Sequence, residues 1–458
     1  ERSAPQQVAF ALDGKRAEQV RRWLVRAQQP ARSPLRARLA RPSGVPEDVW
    51  AEWQRSFVHD DARMATEVLH RIHECCPDFP SDAGADEPTW RWIENRPDSA
   101  ALALFLGKPW AMAMIMQLDG SGRRETRIVG LSLPSPALDP EALITIMRRA
   151  CEDPNSSAAA ATAQTRMAGW VRANVVEVLA PLWRHPPTAV LWSPGPGLRL
   201  VAPAGIWPDL PVAMAASLVL PELRTLPGRA RSTLIALADP RGRLDLGGHG
   251  MTVLQDLAKA AAERGPVRQL ASIGERFGRA LMGHDTTVRD SPASASDVLA
   301  EASEHDLIVL IAHGEVETLG DAALICLDSG GRIDRLDVDA LARYPDRFAG
   351  AMVVLLSCEG GRVGSALADP GGLAGTLVSS GARCVVAPLW PVQLDVAKSV
   401  AEAVLRGLAE GRDPWEVLAT LTVADGRDAP VMGRPAATSF ERGASRELQR
   451  SAFVTWVG

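Results

Sequence analysis

No apolar run in this chain approaches the roughly 18 residues that a membrane-crossing helix needs, so nothing in the sequence reads as a transmembrane segment. Cysteine is scarce as well. The six that occur (Cys75, Cys76, Cys151, Cys326, Cys358 and Cys384) have no disulfide-framework spacing, and a chain of 458 residues needs no covalent stapling. A reducing, cytoplasmic setting is the simplest expectation. Aromatic residues make up only 5% of the chain. Two catalytic signatures are also missing: no G-x-S-x-G elbow for a serine hydrolase and no Walker-type phosphate loop. The sequence opens on Glu1 rather than Met and carries no signal-peptide pattern, which leads us to expect a processed fragment with N-terminal sequence missing.

The remaining composition is that of an ordinary globular chain, 46% hydrophobic and 23% charged, long enough for two or three domains with sizeable cores. The net charge of -5 selects no partner, but its distribution is uneven. Residues 1–42 hold ten Lys/Arg against three Asp/Glu. A basic arm of this kind binds nucleic acid or an anionic surface when aromatic residues are interleaved with it; here they are sparse. Arg21-Arg22-Trp23-Leu24 therefore reads as the solvated face of an amphipathic helix, and direct nucleic-acid binding is not expected.

Three regions follow from the patterning. Residues 1–92 read as a helical N-terminal region, with helical spacing at Val20–Ala27, Val49-Trp50-Trp53-Phe57 and Val68–Ile72, broken by Pro30, Pro34, Pro42 and Pro46. Its arginine face and Trp23, Trp50 and Trp53 suggest a docking piece. Residues 93–228 read as an α/β half. Strands at Ala100–Leu106 and Trp110–Met116 flank Gly107-Lys108-Pro109, a helix carries Leu143–Met147, and Ser156–Ala161 forms a loose linker. A helix with Trp170–Leu179 and a strand at Ala189–Trp192 complete this half. Residues 229–458 alternate strands at 232–238, 307–312 and 352–356 with helices, including Leu373–Ser380 stopping at Gly381 and one capped by Asp395. Asp413-Pro414-Trp415-Glu416 is a capping box. Such alternation predicts an α/β fold on a mainly parallel sheet. Segments 284–297 and 425–447, rich in Ser, Asp, Gly and Pro, are expected loops.

Two of these strands carry the chemistry. Leu307–Ala312 runs into His313-Gly314, and Met352–Leu356 into Ser357-Cys358-Glu359-Gly360-Gly361. Continuous apolar runs of this kind are central strands of a parallel sheet, and ligands sit off the carboxyl ends of such strands. An imidazole and a thiol brought to one rim are what a cysteine nucleophile and its base require. Backbone N–H groups of Gly314 and Cys358 are placed to hold a developing oxyanion. Cys326 and Cys384, in apolar surroundings, read as small core residues. The cluster His70, His73, Cys75 and Cys76 invites a zinc site, but adjacent cysteines rarely reach one ion and Cys-x-x-Cys spacing is absent; no metal and no cofactor is expected.

The motifs resemble those of the CHAT family, bacterial cysteine peptidases similar to caspases and separases. Matching residues are His313-Gly314, Cys358-Glu359-Gly360-Gly361, Gly381-Ala382-Arg383, Val385-Val386-Ala387-Pro388 and Leu389-Trp390-Pro391-Val392, with fainter matches at Ala238–Gly242 and Ala452–Gly458. Ala312 and Ser357 stand where the family often has Cys or Ser and Ala. The resemblance implies a caspase-like sheet flanked by helices in 229–458, a non-catalytic version of the same layout in 93–228, and a His313–Cys358 dyad with no third member. It further implies substrate pairing along the strand at Val386–Trp390, where Pro388, Leu389 and Trp390 contact the substrate and Trp390 walls a pocket, beside Glu359. The implied partners are a protein substrate and a protein activator or sensor, within bacterial signalling or antiviral defence. The alternative is a catalytically silent scaffold on the same fold.

Overall fold

The computed structural model of the chain describes residues 10–11, 45–58, 87–106, 111–131, 146, 157–194, 198, 201–208, 210–215, 230–239, 250–273, 293–316, 323–329, 332–337, 340–341, 344, 347–357, 372–390, 392–423, 450 and 452–457. Among them, fourteen strands join one sheet. The first six are β1 (Phe10–Ala11), β2 (Ala100–Leu106), β3 (Ala111–Leu118), β4 (Arg124–Leu131), β5 (Val190–Ser193) and β6 (Val212–Met214). The rest are β7 (Ala230–Asp239), β8 (Val267–Ile273), β9 (His305–Val316), β10 (Ala323–Ser329), β11 (Arg332–Leu336), β12 (Met352–Leu356), β13 (Cys384–Pro388) and β14 (Phe453–Val457). Their order is β1-β4-β3-β2-β5-β6-β14-β13-β12-β9-β10-β11, with β7 joined to β9 and β8 to β7.

The direction of these strands matters for function. β8, β7, β9, β12 and β13 run parallel to one another. β14 opposes β13 but runs parallel to β6, which is parallel to β5, which is parallel to β2. The sheet is thus continuous across the chain, while its two parallel sets open their carboxyl ends on opposite edges.

Strand alternation feeds two core layers. From β9, Ile308, Leu310 and Ala312 enter one layer with Val353 and Leu355 of β12. Leu307, Val309 and Ile311 enter the other with Val354 and Leu356. Because both faces are covered, these strands are apolar at every position rather than at alternate ones. The first layer is roofed by α3 (Ser157–Val171), α5 (Ala295–Ala302) and α6 (Gly372–Ser379); the second by α2 (Glu87–Glu94), α4 (Gly250–Ala262), α7 (Leu394–Ala409) and α8 (Pro414–Val423). A helix α1 (Glu47–Val58) precedes them. Each fully buried Leu or Ile contributes about 1.5–3 kcal/mol, so the layers supply the main stabilising term.

Several sequence expectations change. Phe10–Ala11 is a strand paired with β4 rather than helix. Trp50 is buried, which removes it from any docking face, and Trp23 lies outside the described residues. Ser157–Ala161 begins α3 instead of forming a linker. Beyond α3, a π-helical turn spans Arg172–Val176, and Arg172 there donates to the backbone oxygens of Gly205 and Ile206. Asp395 sits inside the first turn of α7, whose N-cap is Gln393. Gly381 does close α6, at φ +90°. At α8 half of the capping box forms. The Glu416 carboxylate accepts from the Asp413 N–H at 2.9 Å, while the Asp413 carboxylate turns to Arg96 at 2.6 Å. Ser294 and Ala295, expected in a loop, cap and begin α5. Apart from Ile146 the 143–147 helix lies outside the described residues, as do 425–447, Pro391 and the His70–Cys76 cluster. No helix among the described residues is long and apolar enough to cross a membrane.

Candidate functional site

β9 and β12 are neighbours in parallel register, Leu307 opposite Met352 through Ile311 opposite Leu356. Their carboxyl ends therefore open on the same rim. β7 flanks β9 as far as Ala238 opposite Ala312, so His313 is the first residue of β9 past the parallel ladder. The strand does not stop there, contrary to the sequence reading. It continues to Val316 and takes β10 as an antiparallel partner, with His313 opposite Cys326 and Gly314 opposite Ile325. The backbone alone of His313 is described, and Cys358 and Glu359 lie outside the described residues.

On β12 the last described position before Cys358 is Ser357. It is buried, and its hydroxyl has no hydrogen-bond partner. An orphaned hydroxyl in that setting costs about 1–3 kcal/mol, and the sequence reading took this residue as tuning the site rather than as a member of it. A signal was present, since a polar residue closes an otherwise apolar strand.

β13 lies beside β12 and is paired along both edges. Met352–Val354 of β12 face Cys384–Val386, and β14 pairs from Val457 opposite Cys384 to Phe453 opposite Pro388. Pro388 falls past the last β12 pair, where its missing N–H interrupts no ladder bond on that side. The next residue continues the second ladder, Leu389 donating its N–H to the Ala452 oxygen at 3.0 Å. Leu389 and Trp390 are 0% and 1% exposed and belong to the first core layer. The β14 edge of this strand is thus taken along Cys384–Pro388, and the β12 edge along Cys384–Val386. Cys384 points into the second layer at the amino end of β13, and burial pushes its thiol up to about 12. That holds it as an inert thiol, as expected from the sequence.

At the amino ends of β7 and β9 lies a polar network on the opposite edge of this sheet half. Asp306 accepts from the guanidinium of Arg264 and, at 3.0 Å, from the Ser232 N–H. His305 Nδ1 is 2.8 Å from Ser232 Oγ, and its Nε2 is 3.6 Å from Glu301. This network anchors the start of the strand that carries His313.

Comparison with known proteins agrees with this architecture. The fold is similar to that of the Saccharomyces cerevisiae separase in its complex with securin, at TM-score 0.50 and 11% identity over 90% of this chain and 32% of that one. A second separase–securin structure gives 0.46, 12%, 89% and 33%. The Arg-specific cysteine proteinase gingipain R gives 0.32 at 8% identity over 55% of each chain. The chain spans about a third of the separase it matches, and at these identities the likeness is one of fold. No curated protein matches the chain. The CHAT domain model matches residues 180–425, just over half of the chain and including β5 through α8. With that match and a caspase-like sheet flanked by helices, the chain belongs to the CHAT domain family.

Proposed function

We propose that the chain is a cysteine endopeptidase whose reacting pair is His313 and Cys358. The observation that carries this reading is the parallel pairing of Leu356 with Ile311. Cys358 and His313 each follow one member of that pair by two residues, and side chains two apart along a strand return to the same face. Continued in register, the two strands would set thiol and imidazole side by side.

In this reading His313 removes the thiol proton, lowering a pKa of about 8.5 in free cysteine, or holds the thiolate once formed. The thiolate attacks a peptide carbonyl, and the N–H groups of Gly314 and Cys358 receive the oxyanion. His313 then protonates the leaving amine, and water releases the acyl group. Glu359 borders the substrate cleft, and the buried Pro388, Leu389 and Trp390 form its floor. The substrate is a protein, and a partner protein switches the enzyme on, in the bacterial signalling or defence setting that the family resemblance implies. Residues 93–228 act as the non-catalytic half and 1–92 as the docking region.

The test is a digest of proteome-derived peptides followed by mass spectrometry, with the wild type beside Cys358→Ala and with a cell extract supplying the activator. Cleavage products that vanish in the variant support the peptidase. Products present in neither sample would favour the silent scaffold.

A further inference from the structure

At the end of the sheet farthest from β9 and β12, β4 pairs with β3 along its whole length, Arg124 opposite Leu118 through Leu131 opposite Ala111. On its outer edge, among the described residues, β1 alone pairs with it, Phe10 opposite Gly130 and Ala11 opposite Val129. Arg124–Ile128 therefore present an outer edge that no described strand covers. Such an edge is a template for another strand unless its side chains forbid one, and charge is the usual means. Arg124, Glu125 and Arg127 carry charge here, the first exposed and the other two half-buried.

Their arrangement suits a second copy of the same strand. Glu125 and Arg127 alternate with Thr126 and so share the face of Val129, which enters the first core layer. They pair with each other at 3.0 Å, and Arg184 donates to Glu125 at 2.7 and 2.9 Å. Two copies of β4 related by a two-fold axis through the sheet run antiparallel. A continuous sheet keeps one face up in both, so the axis must pass through a residue position and not between two. An axis at Thr126 sets Glu125 opposite Arg127 of the second copy, twice over, and Arg124 opposite Ile128. That register uses the uncovered residues and stops where β1 begins. An axis at Glu125 would set glutamate against glutamate, and one at Arg127 arginine against arginine. Opposite charges across an antiparallel pair stabilise it, and like charges oppose it.

We propose that the chain self-associates through this edge, β4 of one copy adding antiparallel to β4 of a second with Thr126 on the two-fold axis. The half-buried Leu182 and Trp183 extend the contact on the first-layer face, where Arg127 donates to the Leu182 oxygen. The surface is small, so the association is of the weak class below about 1,200 Å². It leaves β9 and β12 of each copy toward the outer ends of the joined sheet, and it stands whether or not the peptidase reading does.

Sedimentation velocity on the full chain, from about 1 to about 100 μM, reads the association. The expected result is a reversible monomer–dimer equilibrium that weakens at high salt. Glu125→Arg and Arg127→Glu should each weaken it at least about tenfold, because each sets like charges across the axis. Mixed together, the two variants should associate again, since every opposed pair is then an arginine and a glutamate. Thr126→Cys should give a dimer bridged through position 126 on mild oxidation, because opposed Cα atoms lie about 4.5–5.5 Å apart. Peptide mapping separates that bridge from any formed by the native cysteines. Thermal melts show which variants fold; where a charge variant does not, the bridge at position 126 decides alone. A wild-type chain that stays monomeric throughout overturns the proposal and leaves the edge to the chain's own segment 12–16, which follows β1. A dimer that the folded charge variants leave unchanged, a mixture that fails to associate, or a dimer without the bridge overturns it as well.

Discussion

Leu356 of β12 and Ile311 of β9 stand opposite each other at the last described step of a parallel ladder. Both are buried, 4% and 0% exposed, and both enter the second core layer. Register in such a pair is fixed by burial, because a slip of one residue would turn the apolar sets to the wrong faces. In the sequence, His313 lies two residues beyond Ile311 and Cys358 two residues beyond Leu356.

Helices α7 and α8 approach closely at Gly407. A Cβ there would lie 2.2 Å from Val417 Cγ2, and Val417 is 2% exposed with a stiff β-branched side chain. Gly407→Ala should lower stability by about 1–3 kcal/mol through overpacking. Adding Val417→Ala should recover part of the loss. Urea unfolding of the two variants and the double variant measures this.

Arg96 joins the two halves of the chain. Its guanidinium lies 5.1 Å from the Trp92 ring centroid and 5.0 Å from that of Trp415, and it donates to Asp413 at 2.6 Å. Cation–π contacts at partly buried sites contribute about 0.5–2 kcal/mol each, and a charge-assisted bond adds to them. Arg96→Ala should cost about 2 kcal/mol, and Arg96→Lys should recover less than half, since an ammonium cannot stack flat between rings. The loss should shrink at 1 M salt, where the Debye length is about 3 Å.

Acid should weaken the β7–β9 edge. Burial alone would raise the Asp306 carboxyl, but the Arg264 guanidinium and the Ser232 N–H outweigh it and hold it below the ordinary range. A depressed folded-state pKa gives stability that is fully present above the unfolded value, about 3.9, and lost as pH falls through the folded one. Asp306→Asn should therefore destabilise at neutral pH by about 3 kcal/mol, the low end for breaking a buried pair, because the Arg264 side chain is only 8% exposed. The same variant should lose less than the wild type between about pH 4 and pH 2. Denaturant midpoints across that range decide it.

Much of the fold was legible because its central strands are buried on both faces. Leu307–Ala312, Met352–Leu356 and Ser232–Ala238 are apolar at nearly every position, and each is a strand where expected. β4 escaped notice because Arg124–Arg127 are exposed or half-buried and only Ile128–Leu131 are core. β10 and β11 form a hairpin whose strands carry Asp328, Arg332, Asp334 and Arg335, too polar for the periodicity to register. The π-helical turn at Arg172 has no composition signal. For the site, the strand pair was readable from the two motifs. The extension of β9 opposite β10 was not, and with it came the pairing of His313 with Cys326, a tertiary contact that local sequence does not encode.

That pairing supplies the sharpest control for the central claim. A peptide-like acyl electrophile, such as an acyloxymethyl ketone, should label the wild-type chain at one cysteine, identified by peptide mapping. The account predicts the adduct on Cys358, its loss in Cys358→Ala with stability changed by no more than about 1–2 kcal/mol, and labelling at least tenfold slower in His313→Ala, about 1.4 kcal/mol of barrier. Cys384, with its thiol pushed up to about 12, should stay unmodified in the folded chain. An adduct on Cys326, which stands opposite His313 in the β9–β10 backbone register, or labelling of Cys358 at an unchanged rate without His313, would contradict the account.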